Sequence, residues 1–465
     1  MFKNFRRIWL VAVVIVLGIG VYLLPPVHDR LAGRLDDLRA QINYYFNPPD
    51  QAVFKPAQSQ QDAINAIVSA TMQAYSLAQA PSSTPLTATA HPTSTLTGPT
   101  PAPTITPAPL PAAVSLPGVT YINQSTGGGW NMCAPTNLTM MLKFWGWQGT
   151  RDDITKVIKP GINNPKLSFS ARGKPDKNVM PYEMVDFVQN DTDYHAFYRY
   201  GGEMDLLKKL IASGYPMLIE KGVYEKDATG VFSWLGHYAF VTGYDDNQGV
   251  FIYQDTYPPE GVNGNNRQIS YADFQTGWRA FNYLFIVLYP PANEQDVFNI
   301  IGKWGDTGWA NQHALDMANQ EIKTLTGLDL YFAWFNKGTS DVQLIQYNDA
   351  GLAYDQAFNL YPVLPIAQKD RPYRMLWYQT GPFWAYYYTG RYQDVINLAN
   401  TTLGTVLGGP TLEESIYWRG MAEGALGDMN AAITDFKYAN HLNPKMAVVI
   451  QELQTLGIPP ETPIQ

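Results

Sequence analysis

The order of apolar and polar positions divides the chain into stretches of different character. Lys3, Arg6 and Arg7 precede an uncharged run from Ile8 to Leu24, seventeen residues, at the lower end of what crosses a bilayer as a helix. The small residues that follow, Ala32 and Gly33, sit among Arg30, Arg34 and Asp36 and make a poor cleavage site. The run therefore reads as a retained anchor, with its basic flank in the cytoplasm and the rest of the chain outside. Leu31, Leu35, Leu38 and Ile42 follow a heptad-like spacing that predicts a short juxtamembrane helix, and a second weak helix is expected over Gln61 to Ala78. From Pro81 to Pro117 periodicity disappears into Pro, Thr, Ser, Ala and Leu without one Asp, Glu, Lys or Arg. Such a stretch has too little to bury and is expected to form an extended stalk, on the order of 100 Å long at polyproline-like rise.

Periodicity returns after the stalk. Leu138, Met141, Leu142 and Trp145 fall at i, i+3, i+4 and i+7 behind Cys133-Ala134-Pro135, and Gly146 is placed to stop the helix they predict. Further helices are expected over Pro181 to Gln189 and Glu203 to Ala212, with a strand over Pro216 to Glu220. Two β-rich runs, His237 to Gly243 and Gly249 to Asp255, flank the turn residues Asp245 to Gln248 and predict a hairpin. Beyond Ala292 the pattern is that of helical hairpins. Gly420, Gly427, Ala432, Phe436, Ala439 and Pro444 match tetratricopeptide spacing. Trp334, Gly338, Ala350, Tyr354, Ala357 and Pro362 make a second copy, and Tyr386, Gly390, Val395 and Ala399 a degenerate third. Stacked hairpins leave a concave surface for a peptide or protein, which the aromatic group Phe383 to Tyr388 is placed to line.

Composition narrows the function. A net charge of −8, with no basic cluster outside the extreme N-terminus, argues against nucleic acid as the principal partner. A single cysteine excludes an internal disulfide. Scattered histidines offer no metal-ligand spacing, and Thr126-Gly-Gly-Gly-Trp130 leads into the cysteine helix rather than a phosphate loop, so neither metal nor cofactor is expected.

The chemistry points to Cys133. At a helix N-terminus, unpaired N–H groups and the positive end of the macrodipole favour thiolate over thiol. Nine residues upstream, across Gly127, Gly128 and Gly129, Gln124 can fold its amide back beside the Cys133 N–H as an oxyanion-hole donor. The hairpin places His237 within a residue or two of Asp255, so a carboxylate can orient an imidazole that faces the thiolate. His195 is the rival base, without a comparable partner. His28 falls by the membrane, His91 in the stalk, and His313 and His441 in the helical region.

Gln before a Cys-led helix, a distant Gly-His-Tyr strand, an Asp after one hairpin, and a closing segment from Ser270 to Tyr289 together resemble the bacteriocin-processing, double-glycine-leader peptidases. These are a branch of the papain-like cysteine peptidases. The resemblance implies an α+β papain-like fold with Cys133 as nucleophile, His237 as general base, Asp255 as its orienter and Gln124 in the oxyanion hole. Ala134 stands where the family often has Gly, and no transporter is attached, so a leader-peptide substrate does not follow. The expected organisation is a basic flank and transmembrane anchor (1–28), juxtamembrane helices (29–80), stalk (81–117), peptidase (118–291) and tetratricopeptide-like all-α domain (292–465). The expected function is a membrane-anchored, single-pass, extracytoplasmic cysteine peptidase whose helical repeats recruit a protein substrate or partner. On that reading truncation after about Ala292 spares cleavage of short peptides. Two alternatives use the same residues: a non-catalytic peptidase-like adaptor and a cell-wall peptide amidase.

Overall fold

In a computed structural model of the protein, the residues described are 54–56, 109–126, 131–160, 178–227, 231–405 and 411–462. The expected membrane anchor, nearly all of the juxtamembrane segment and most of the stalk lie outside them. Among the described residues no helix is long and apolar enough to cross a membrane.

Alternating side chains build an antiparallel sheet of seven strands among the described residues: β1 (Ala113–Ser115), β2 (His195–Arg199), β3 (Met217–Lys226), β4 (Phe232–Asp245), β5 (Val250–Gln254), β6 (Arg267–Ser270) and β7 (Phe285–Tyr289). The order is β2-β7-β3-β4-β5-β6, and β1 pairs with the end of β4. The predicted hairpin is β4 and β5, joined in the register Phe240 to Gln254 and Val241 to Tyr253. A bulge between Val241 and Gly243 shifts that register by one. Strand β1 corrects the expected stalk boundary, because Ala113 to Ser115 pair with Asp245 to Gly243 and so belong to the sheet. Gly243 is required there, since an added Cβ would lie 2.6 Å from the Val114 carbonyl oxygen.

The period of two sorts the sheet into two faces. Leu218, Phe240, Ile286 and Leu288 point to one core, which also takes α1 (Cys133–Phe144), α2 (Arg151–Ile158) and α3 (Pro181–Asp191). Met217, Ile219, Val241, Phe285 and Val287 point to the other, covered by α4 (Met204–Ala212) and α5 (Tyr271–Arg279). Helix α1 ends as its pattern predicts: Gly146 takes φ +96°, and the Trp147 N–H reaches back to the Leu142 carbonyl at 3.1 Å.

The helices after Pro290 do not form a separate body. Helix α6 (Glu294–Ile301) buries Val297 and Ile301 in the core beneath α4, and α7 (Thr307–Thr324) brings Ala314 against Gly201. Then come α8 (Gly327–Gln343), α9 (Tyr347–Leu360), the short α10 (Met375–Tyr378), α11 (Gly381–Tyr388), α12 (Tyr392–Gly404), α13 (Glu413–Ala425), α14 (Met429–Leu442) and α15 (Ala447–Thr455). Hairpins α8/α9, α11/α12 and α13/α14 stand where the three sequence copies fall. Small residues allow their close approach: a Cβ on Gly338 would meet the Tyr354 ring at 2.7 Å, and one on Gly420 would meet Phe436 at 3.0 Å.

The expected division at 291/292 therefore separates sheet from helices in sequence but not in packing. Trp234 of β4 stacks on Phe281 at 5.9 Å and meets Phe332 of α8 and Tyr378 of α10 at 5.9 and 6.0 Å. Arg374, buried with its partner, links Asp227 at 2.6 Å and the Ser233 hydroxyl at 2.6 Å, tying the approach to α10 to the β3–β4 hairpin. The N-terminal segment also contributes, with Phe54 packed against Phe358 and Tyr386.

Candidate active site

Cys133 is the first residue of α1, which carries no side-chain cap and no acidic residue in its first turn. Nothing there offsets the positive helix end. The thiol is partly exposed, in a cavity of about 380 Å³ that also contains Gln124, His237 and Asp255. The four residues singled out from sequence are thus brought together.

His237 lies on β4 opposite Lys221, and the Val241–Tyr253, Phe240–Gln254 register carries Asp255 diagonally towards it, just past the end of β5. His237 Nε2 is 3.2 Å from Asp255 Oδ1. The imidazole also hydrogen-bonds the Cys133 thiol. Asp255 is itself held: the Tyr257 N–H donates to Oδ1 at 3.0 Å, Arg267 donates to Oδ2, and the Tyr121 hydroxyl donates to its backbone carbonyl at 2.9 Å.

Gln124 is oriented rather than merely near. Its N–H donates to the Thr256 carbonyl at 2.9 Å, and its side-chain oxygen accepts from the Thr256 hydroxyl at 2.8 Å. Thr256 thus fixes the plane of the amide, and Gln124 lines the cavity beside Cys133. Asn137, one turn after Cys133 and fully buried, donates at 2.9 Å to both the Cys133 carbonyl and the Tyr238 carbonyl, clamping α1 to β4.

Electrostatics match this geometry. Burial alone raises the Cys133 thiol, but the hydrogen bond and charge of His237, a backbone bond from Tyr238 and the Lys159 charge outweigh it and bring the thiol below its ordinary value. Burial lowers His237, yet Asp255 and Cys133 raise it to about 9. Asp255 falls well below the usual carboxylate range, because His237 and Lys221 overcome its burial. Between the two displaced values the cysteine is thiolate and the histidine imidazolium, the reactive form of such a pair.

Several cleft residues were missed in the sequence. Glu220 and Lys221 are both buried on β3. Burial, then the neighbouring Cys133 charge, raise Glu220 well above its ordinary value. Burial brings Lys221 down to about 8 against the pull of Asp255. Trp377 and Tyr378, from α10, form part of the cavity wall, and Asn178 donates to the Trp377 carbonyl at 2.6 Å. Adjacent charges in a β-rich run were the only local signal for the first pair, and none existed for the second. The rival His195 sits on outer strand β2, exposed and 2.6 Å from Glu294, outside the cavity. His313 and His441 pair with Glu203 and Glu461. Away from the cleft, carboxylate oxygens of Glu183, Glu413 and Glu414 come within 4.8 Å of one another, a grouping not expected from sequence.

Residues 117–286 match the model of the Peptidase_C39 like family. A search of curated proteins finds no match. Among solved structures, a C39-like peptidase from Bacillus anthracis shares 17% identity at TM-score 0.28, over 38% of this chain and 97% of that one. The peptidase domain of Streptococcus ComA, a bi-functional ABC transporter involved in quorum sensing, shares 17% at TM-score 0.26, over 37% and 99%. Xylellain, a cysteine protease from Xylella fastidiosa, shares 13% at TM-score 0.27, over 39% and 86%. These likenesses are weak in score, and the family model carries the assignment. Over residues 117–286 the chain accordingly has a C39-like, papain-like cysteine peptidase fold, continued by a helical region.

Proposed function

We propose that the protein is a membrane-anchored, extracytoplasmic cysteine peptidase. The observation that carries the reading is the meeting of Cys133, His237 and Asp255 in one cavity, with Gln124 held beside them by Thr256. In this mechanism the Cys133 thiolate attacks the scissile carbonyl carbon. The developing oxyanion is received by the Gln124 NH2 and the Cys133 backbone N–H. His237 gives its proton to the departing amine, leaving a thioester on Cys133. It then takes a proton from water, whose oxygen attacks the thioester and releases the acid. Asp255 keeps the imidazole oriented throughout.

The seventeen-residue apolar run behind Lys3, Arg6 and Arg7 supports the anchor, with the peptidase outside. The helical hairpins, of tetratricopeptide-like spacing, support substrate or partner recruitment by the C-terminal region, and exposed Trp384 and Tyr388 are available for it.

The test is cleavage of a peptide library by the detergent-solubilised full chain, read by mass spectrometry. Products that vanish in Cys133→Ala and His237→Ala support the peptidase. An intact library with a normally folded chain would instead favour the adaptor. External protease on intact cells should release a fragment starting in the stalk; a fully protected chain would place the cleft in the cytoplasm.

A further inference from the structure

A second cavity, of about 310 Å³, adjoins the catalytic one: Glu220 and Tyr378 line both. Its walls come from both parts of the chain. Tyr182, Tyr198, Tyr200 and Phe281 arise from the sheet domain, and Tyr347 and Trp384 from the helical region. Tyr182 and Trp384, 44% and 38% exposed, mark its mouth. Glu220 is the one charged side chain among its described lining residues, which include no Lys, Arg or His.

This lining selects by charge. An aromatic face carries negative electrostatic potential, so the rings draw a cation and repel an anion, and a cation bound there restores to Glu220 the ionised form that burial and the Cys133 charge disfavour. The buried Glu220 carboxyl is hydrogen-bonded with Tyr238, and a cation, unlike a purely apolar occupant, adds a charge partner to it. Phe281, Leu284 and Val342 offer an apolar wall along which a long methylene stem can lie. The chain's net charge of −8 adds a long-range attraction of the same sign.

We propose that this cavity is a subsite for a lysine or arginine side chain of the peptide being cleaved, with Glu220 as its charge partner and Trp384 at its mouth. The proposal rests on the peptidase reading for its occupant. It implies that the helical region helps to choose the cleavage site from within the cleft, beyond any capture of substrate elsewhere on its surface.

The test separates binding from turnover. Full-length Cys133→Ala protein in detergent is titrated calorimetrically with capped alanine–glycine nonapeptides carrying one arginine at each position in turn, and with their citrulline counterparts. The expected result is a preference for arginine over citrulline of about tenfold at one or two positions, a size typical of a desolvated cation over aromatic rings. Glu220→Gln in the same background should reduce the preference several-fold. Trp384→Leu, at a partly exposed position and hence safe for folding, should also reduce it and decides the matter if Glu220→Gln does not fold. No preference for arginine at any position, or one unchanged in both variants, overturns the subsite. The same peptides offered to the protein with Cys133 intact test the peptidase reading separately. Selective binding without cleavage leaves the subsite standing and removes the peptidase, while cleavage without selectivity does the reverse.

Discussion

The helical region and the cleft around Cys133 both bury charged groups, and they treat them in opposite ways. In the hairpins two buried carboxylates are each matched to an arginine: Asp355 receives Arg391 at 2.7 and 3.0 Å, and Asp435 receives Arg419 at 2.7 and 2.8 Å. Such pairs fix one helix against the next. In the cleft, Cys133 and His237 are held so that a proton can move between them, and Glu220 and Lys221 stand beside them with their values pulled towards neutrality. One region uses burial to immobilise charge and the other to make it mobile. Removing a charge should therefore cost stability in the first region and turnover in the second.

The largest effect is expected from Cys133→Ala and His237→Ala, each lowering peptide turnover by at least about 10⁴-fold while the chain still melts cooperatively. A His237→Ala protein that remains active would break the comparison at its strongest point. Asp255→Asn comes next, with a loss approaching the same order, because the amide can present the wrong partner to Nε2 and misorient the ring. Gln124→Ala removes one oxyanion donor, and kcat should fall by about 10²–10³-fold with KM little changed. A rise in KM alone would move Gln124 out of the oxyanion hole.

In the helical region the sharpest probe is Arg374→Met, which removes the guanidinium from buried Asp227 and leaves it the Val231 N–H. The cost should be about 3–5 kcal/mol in denaturant unfolding, and replacing both partners with apolar residues of similar volume should restore much of it. A double variant no more stable than the single one would show that the pair does more than hold the approach to α10 against the β3–β4 hairpin.

The site was legible in the sequence where its signals were local. A four-position apolar stripe fixed the start of α1 at Cys133, and the turn between the two β-rich runs fixed which residues of β4 and β5 could meet. The bulge after Val241 was invisible, and because it falls between the turn and the site it shifts the register there by one, carrying Asp255 past Gln254 towards Ala239 and so onto the same face as His237. The misses are all products of distant packing. Ala113 to Ser115 read as stalk because three small residues have no strand signal until β4 supplies hydrogen bonds. Trp377 and Tyr378 could not be assigned to the cleft, since only the docking of α10 on Trp234 carries them there.

That last miss changes an expectation. Cutting the chain near Ala292 removes Val297 and Ile301 from the sheet core and part of the cleft wall. Short-peptide cleavage should be lost together with cooperative melting. A truncated chain that melts cooperatively and still cleaves short peptides would restore the separable arrangement suggested by the sequence pattern.

The pH dependence follows from the signs of the shifts. His237 is raised from 6.5 to about 9, so the stability it lends is whole below about 6.5 and fades as pH rises through about 9. Asp255 is depressed below 3.8, so its contribution is present above that value and fades only as pH falls through the lower folded one. Activity, which needs thiolate and imidazolium together, should form a plateau that closes near pH 9.

The central claim, a Cys133 thiolate sustained by His237, is tested most directly by the rate of iodoacetamide alkylation against pH. The chain has one cysteine, so intact mass reports this site alone. The account predicts rapid labelling that has already levelled off below the free-thiol value of about 8.5, and a rise shifted to higher pH in His237→Ala. Labelling that rises only above that value in the unmodified chain, with no change on removing His237, would contradict it.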